Sequence, residues 1–84
     1  MSKGEQSLVS QASTTTRMAL SAENRNYEAH FGHVFIIAAR GRHAEEILHA
    51  LRQRMTNDPV KELEVAAGEQ RKITRQRLLA MLGQ

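Results

Sequence analysis

The spacing of the apolar residues constrains this chain more than anything else in it. They recur every three or four positions along most of the 84 residues, and one unbroken apolar run, VFIIAA at 34–39, interrupts that rhythm between Gly32 and Gly41. Three- and four-residue spacing lines side chains along one face of an α-helix. The run is far shorter than the roughly 20 residues a membrane-spanning helix needs. It is also short for a helix of its own and reads as a buried extended stretch. The expectation is an all-α chain, a helical bundle fragment of about three helices with a short extended segment between the first two.

Local signals bound each helix. Residues 7–16, SLVSQASTTT, are rich in Ser and Thr without a sustained period, so they predict a loop running into a helix capped by Ser13, Thr14, Thr15 or Thr16. Leu20, Asn24, Tyr27 and Phe31 then share one face, and Gly32 ends the helix. A second stripe runs through Ala44, Ile47, Leu48, Leu51 and Met55, with Glu45, Glu46, Arg52 and Gln53 largely on the other side. Asn57-Asp58-Pro59 closes that helix and opens the next, because Asp58 accepts from free backbone N–H groups and Pro59 fits the first turn without losing a bond. The last helix is expected from Pro59 to about Leu82, with Gly68 inside it.

A chain of this length supports one domain and a thin core. It contains no cysteine, so neither a disulfide nor a thiolate metal site supplements that core, and a reducing compartment suits it. The N-terminus lacks the basic-then-apolar order of a signal peptide, which makes the cytoplasm the expected location. Twelve Lys and Arg against nine Asp and Glu give a formal net charge of +3, which favours an anionic partner. A nucleic acid is not expected: Tyr27, Phe31 and Phe35 are not interleaved with basic residues as base stacking requires, and Arg71, Lys72 and Arg75 spread round the last helix as a solvated face. His30, His33, His43 and His49 do not have metal-ligand spacing, so a metal is not expected.

One residue breaks the pattern. On the last helix Leu63, Ala66, Ala67, Gln70, Thr74, Arg77, Leu78 and Met81 share a side that should be buried, which puts the Arg77 guanidinium among apolar neighbours. Such a group needs a partner, because it does not lose its proton. Periodicity leaves open a structural Arg–Glu pair, a side chain that reaches past small neighbours to water, or an anion site. By the same reasoning Ser2, Glu5 and Gln6 read only as a terminal polar cluster.

The strings SKGEQ, NYEAHFGHVFIIAARGR, EEILHALRQRMTNDPVKELEVAAGEQRKI and TRQRL, taken in order, resemble the C-terminal half of 2-oxo-4-hydroxy-4-carboxy-5-ureidoimidazoline (OHCU) decarboxylases, enzymes of urate degradation. The most specific elements are SxxEQ at Ser2 to Gln6, YExxFGxxF at Tyr27 to Phe35, and KIxxxRL at Lys72 to Leu78. The resemblance implies one unit over residues 1–84, with 1–16 loop or partial helix and 17–84 helical. It also implies a cofactor-free, usually homodimeric carboxy-lyase that converts OHCU to (S)-allantoin. Glu5 and Arg77 would then be catalytic, and Ser2 and Gln6 would bind substrate beside Glu5. Phe35, Ile36, Ile37, Ala38 and Ala39 would line the pocket, partly through their backbone. Relatives carry a histidine in an HPxLG-like motif upstream of SxxEQ, and none of the four histidines here occupies that motif, so the expected general acid is absent and the chain alone is expected to be inactive. The alternative is a small helical protein–protein interaction module without catalysis, in which the Ile47–Leu51–Met55 and Leu63–Met81 stripes pair with another protein.

Overall fold

The computed structural model describes residues 13–83, which form three helices: α1 (Thr14–Phe31), α2 (Ala44–Arg54) and α3 (Pro59–Leu82). Each starts or stops where local chemistry dictates. The Ser13 side chain accepts from the Thr16 N–H at the start of α1, one of the free N–H groups of a first turn. Gly32 ends that helix in the left-handed conformation at φ 80°, and its N–H donates to the Glu28 carbonyl. The His43 N–H donates to the Glu46 carboxylate at 2.8 Å as α2 begins. Asp58 accepts from the Lys61 N–H at 2.9 Å, with Pro59 in the first turn of α3.

The apolar stripes of α1 and α2 pack against each other. Leu20 and Tyr27 from α1 meet Ala44, Ile47, Leu48 and Leu51 from α2, and Ala19, Phe31, Phe35, Ile37 and Met55 close round them. Arg52 also grips Glu23 across the two helices, at 2.9 and 3.0 Å from Nε to the two carboxylate oxygens. Between α1 and α2, residues 34–39 run without helix, turn or bend. Phe35 and Ile37 lean onto the α1–α2 core, whereas Ile36 lies against α3. That alternation belongs to an extended chain.

Helix α3 departs from the sequence expectation. The expected buried face of Leu63, Ala67, Gln70, Thr74, Arg77, Leu78 and Met81 is exposed, and of that stripe only Ala66 is buried. The face turned inward is Glu62, Ala66 and Glu69, continued by the half-buried Ile73 and Gln76. The helix is thus rotated by one position, about 100°, from the apolar stripe. Two carboxylates on that inward face, Glu62 and Glu69, hold it there through bonds to Tyr27, Arg54 and the Ala38 N–H.

The molecule is flat. Its extents are 40 × 33 × 16 Å, and the shortest leaves room for little more than one layer when packed helices lie about 10 Å apart. The radius of gyration is 14.1 Å against about 12 Å for a compact body of this length. Val60, Leu63, Leu78, Leu79, Met81 and Leu82 are all exposed along α3. Among the described residues, no helix is long and apolar enough to cross a membrane.

Candidate functional site

The site grows from the way α3 meets the extended segment. Arg54, in the last turn of α2, is buried and donates in two directions. Its Nη1 reaches the Ile36 carbonyl at 2.6 Å, while Nε and Nη2 reach Glu62 Oε2 at 2.8 and 2.5 Å. The Tyr27 hydroxyl donates to the same carboxylate oxygen, and Asn57 Nδ2 donates to Oε1 at 3.0 Å. The guanidinium also lies 4.5 Å from the centre of the Phe35 ring, within cation–π range. Tyr27 in turn packs edge-on to Phe35 at 5.1 Å and against Phe31 at 4.7 Å.

Electrostatics follow from these contacts. Burial alone would raise the Glu62 carboxyl, but hydrogen bonds from Arg54, Tyr27 and Asn57, with the Arg54 charge, outweigh it and hold the group below the ordinary carboxylate range. Tyr27 moves the other way, to about 12, because burial and the bond to anionic Glu62 both disfavour the phenolate. A buried ion pair of this kind adds little net stability over an apolar contact, but losing one partner costs about 3 to 5 kcal/mol. What it secures here is geometry: one carboxylate joins α1, α2, α3 and the extended segment.

The second carboxylate acts on the same segment. Glu69 Oε1 accepts from the Ala38 N–H at 2.8 Å, and Oε2 takes the ammonium of exposed Lys72 at 2.7 Å. Burial would raise this group too, yet the Lys72 bond, the Ala38 N–H and the nearby Lys72 and Arg42 charges lower it. Every buried side-chain nitrogen and oxygen among the described residues has a partner.

Beside this clamp is an open groove of about 310 Å³ lined by His33, Ile36, Leu63, Ala66, Ala67 and Gln70. Its size suits a small ligand. Among the described residues no group of three or more His, Cys, Asp or Glu could hold a metal ion.

The expected site residues divide accordingly. Ser2, Glu5 and Gln6 lie outside the described residues. Ile36 lines the groove, Phe35 and Ile37 face the core, Ala38 is buried, and Ala39 is exposed with its carbonyl taken by the Arg42 N–H. The backbone from 35 to 39 is therefore only partly free to meet a ligand, because Ile36 C=O and Ala38 N–H already have side-chain partners. Arg77 is exposed instead of buried, and it has no partner among the described residues. It lies on the α3 face that includes Gln70, seven residues and about 10 Å further along the helix.

Sequence reasoning missed Arg54, Glu62, Glu69 and Asn57. Two signals were present. Arg54 follows Leu51 by three and Ile47 by seven, which puts it on the buried stripe of α2; Glu62, Ala66 and Glu69 have the same four-and-three spacing on α3. A count of apolar residues alone passes over a stripe made of charges.

The described geometry can be set beside known proteins. The family model for OHCU decarboxylase matches residues 1–79. The uric acid degradation bifunctional protein TTL of Arabidopsis thaliana is 47% identical over 66 residues, which cover 79% of this chain and 20% of the plant protein. The 2-oxo-4-hydroxy-4-carboxy-5-ureidoimidazoline decarboxylase of Amia calva is 42% identical over 66% of this chain and 31% of its own length, and that of Mus musculus is 36% identical over 83% and 39%. A crystal structure of OHCU decarboxylase in the presence of (S)-allantoin superposes with a TM-score of 0.85 and 42% identity, over 87% of this chain and 51% of the other. The chain thus spans between a fifth and two fifths of the length of these curated relatives and half of the solved chain. With its match to the family model running from residue 1 to residue 79, the chain belongs to the OHCU decarboxylase family.

Proposed function

We propose that this chain supplies the C-terminal half of a site that binds a ureide and decarboxylates OHCU to (S)-allantoin, in the cytoplasm and as a homodimer. The observation that carries the reading is the fixed segment 35–39, whose Ile36 borders a groove lined on α3 by Leu63, Ala66, Ala67 and Gln70, with Arg77 two turns further along that helix face. The relative solved in the presence of (S)-allantoin, similar over most of this chain, supports the ligand class.

In this reading Arg77 holds an anionic oxygen of the substrate with a fork of N–H donors that no other described residue occupies. When the carbon–carbon bond to the carboxylate breaks, CO₂ leaves and the electron pair stays on the ring carbon, where Arg77 stabilises the developing charge. Glu5 accepts from substrate N–H groups and fixes the ring's orientation, with Ser2 and Gln6 beside it. The carbon must then take up a proton. Arginine does not release one, and an ionised glutamate has none to give. The proton that the ring carbon takes up therefore comes from another acid or from water, not from these two groups.

Titration calorimetry with (S)-allantoin, followed by a decarboxylation assay on freshly generated OHCU, tests this. Arg77→Ala should weaken binding by about tenfold or more, the loss of one charge-assisted contact. No heat of binding in the unsubstituted chain, or equal affinity in the variant, would refute the reading. The exposed apolar side chains of α3 favour a second reading, a helical interaction module, which predicts that no ureide binds.

A further inference from the structure

We propose that Glu69 is a positioning residue for ureide binding: by accepting from the Ala38 N–H while Arg54 holds the Ile36 carbonyl, it fixes the segment so that the N–H and C=O of Ile37 face the ligand. The proposal rests on the reading of the site given above.

Ile36 and Ala38 are two apart in a run without turn or bend, and in an extended chain such residues present their backbone groups along the same edge. Arg54 takes that edge at 2.6 Å and Glu69 at 2.8 Å, as a neighbouring strand would. The opposite edge carries the N–H and C=O of Ile37, which have no partner among the described residues. A donor and an acceptor side by side on one residue match the N–H and C=O of a ureide. The segment lies between Gly32 and Gly41, both at positive φ, so without the clamp it would have to lose backbone freedom when the ligand binds, which weakens affinity.

Glu69 serves this end more directly than Arg54 does. Arg54 is also tied to Glu62, and through it to Tyr27 and Asn57, so its removal disturbs the whole fold. Glu69 is 9% exposed, and among the described residues its only other hydrogen-bond partner is the exposed Lys72, with the Arg42 charge nearby. A carboxylate buried at a helix–segment contact is costly beside an apolar residue, and the backbone N–H it holds is what distinguishes it from one.

Two substitutions separate positioning from charge. Glu69→Gln keeps the reach and an acceptor oxygen but loses the charge; Glu69→Asp keeps the charge but withdraws it by about 1.5 Å, one carbon–carbon bond. Calorimetry with (S)-allantoin should show Glu69→Gln within about threefold of the parent and Glu69→Asp weaker by about tenfold or more. Amide hydrogen exchange at Ala38 should be faster in Glu69→Asp alone. Parent-like affinity in Glu69→Asp, the reverse order of the two variants, or equal loss of affinity and melting temperature in both overturns the proposal. If the parent chain binds no (S)-allantoin, the reading of the site fails, and the proposal with it, whatever exchange at Ala38 shows.

Discussion

Single ionisable groups give this protein a stability profile with two limbs. Glu62 and Glu69 have folded values below the ordinary carboxylate range, so the stability they lend is complete above about pH 5 and is lost as the pH falls through that range and below. Tyr27 lies at about 12 in the fold against an ordinary value of 10.0, so its contribution is complete below pH 10 and is lost as the pH rises towards 12. Urea denaturation from pH 3 to pH 12 should therefore give a plateau that falls on both sides. Tyr27→Phe should lower the plateau by about 1.5 to 3 kcal/mol, the worth of a hydrogen bond to a charged group, and flatten the alkaline limb. An alkaline limb unchanged in that variant would mean that the phenol is not the titrating group.

At the scale of the helix, two glycines have opposite roles. Gly32 ends α1 at φ 80° with nothing within 4 Å of where a Cβ would sit, so its function is purely conformational. Gly68 lies inside α3, where an added Cβ would meet only the Arg71 side chain at 3.6 Å, an ordinary contact. Gly32→Ala should destabilise by about 1 kcal/mol because alanine resists the left-handed region. Gly68→Ala should stabilise by about 0.5 to 1 kcal/mol by removing a flexible residue from a helix interior. Thermal melts of the two variants should move in opposite directions, and a shared direction would contradict the assigned roles. Residues 34–39 show the same economy: among the described residues no strand pairs with them, and two side chains supply the partners a strand would have provided.

For the whole molecule the deciding features are its flatness and the exposed apolar side chains of α3. Apolar surface of that kind favours association. Sedimentation equilibrium should show a dimer that dissociates on dilution, and Leu78→Lys combined with Met81→Lys should weaken it by about tenfold. A parent chain that stays monomeric at high concentration would rule out self-association through this face. Arg77 belongs to the same face, so the double variant also asks whether dimer and ligand compete for it.

The sequence by itself determined where each helix starts and stops. Ser13, Gly32 and the Asn57-Asp58-Pro59 break act through atoms only a few residues away, and the stripes of α1 and α2 already marked the faces that the structure buries. The family was legible too, in the order of SxxEQ, YExxFGxxF and KIxxxRL. Tertiary structure alone decided the rotation of α3, because Glu62 finds Tyr27 across 35 positions of chain and Glu69 finds Ala38 across 31. A helix turns towards the face whose burial and bonds together cost least. On α3 that face holds two charges whose partners are distant in sequence, which is why a buried Arg77 was expected and an exposed one is found.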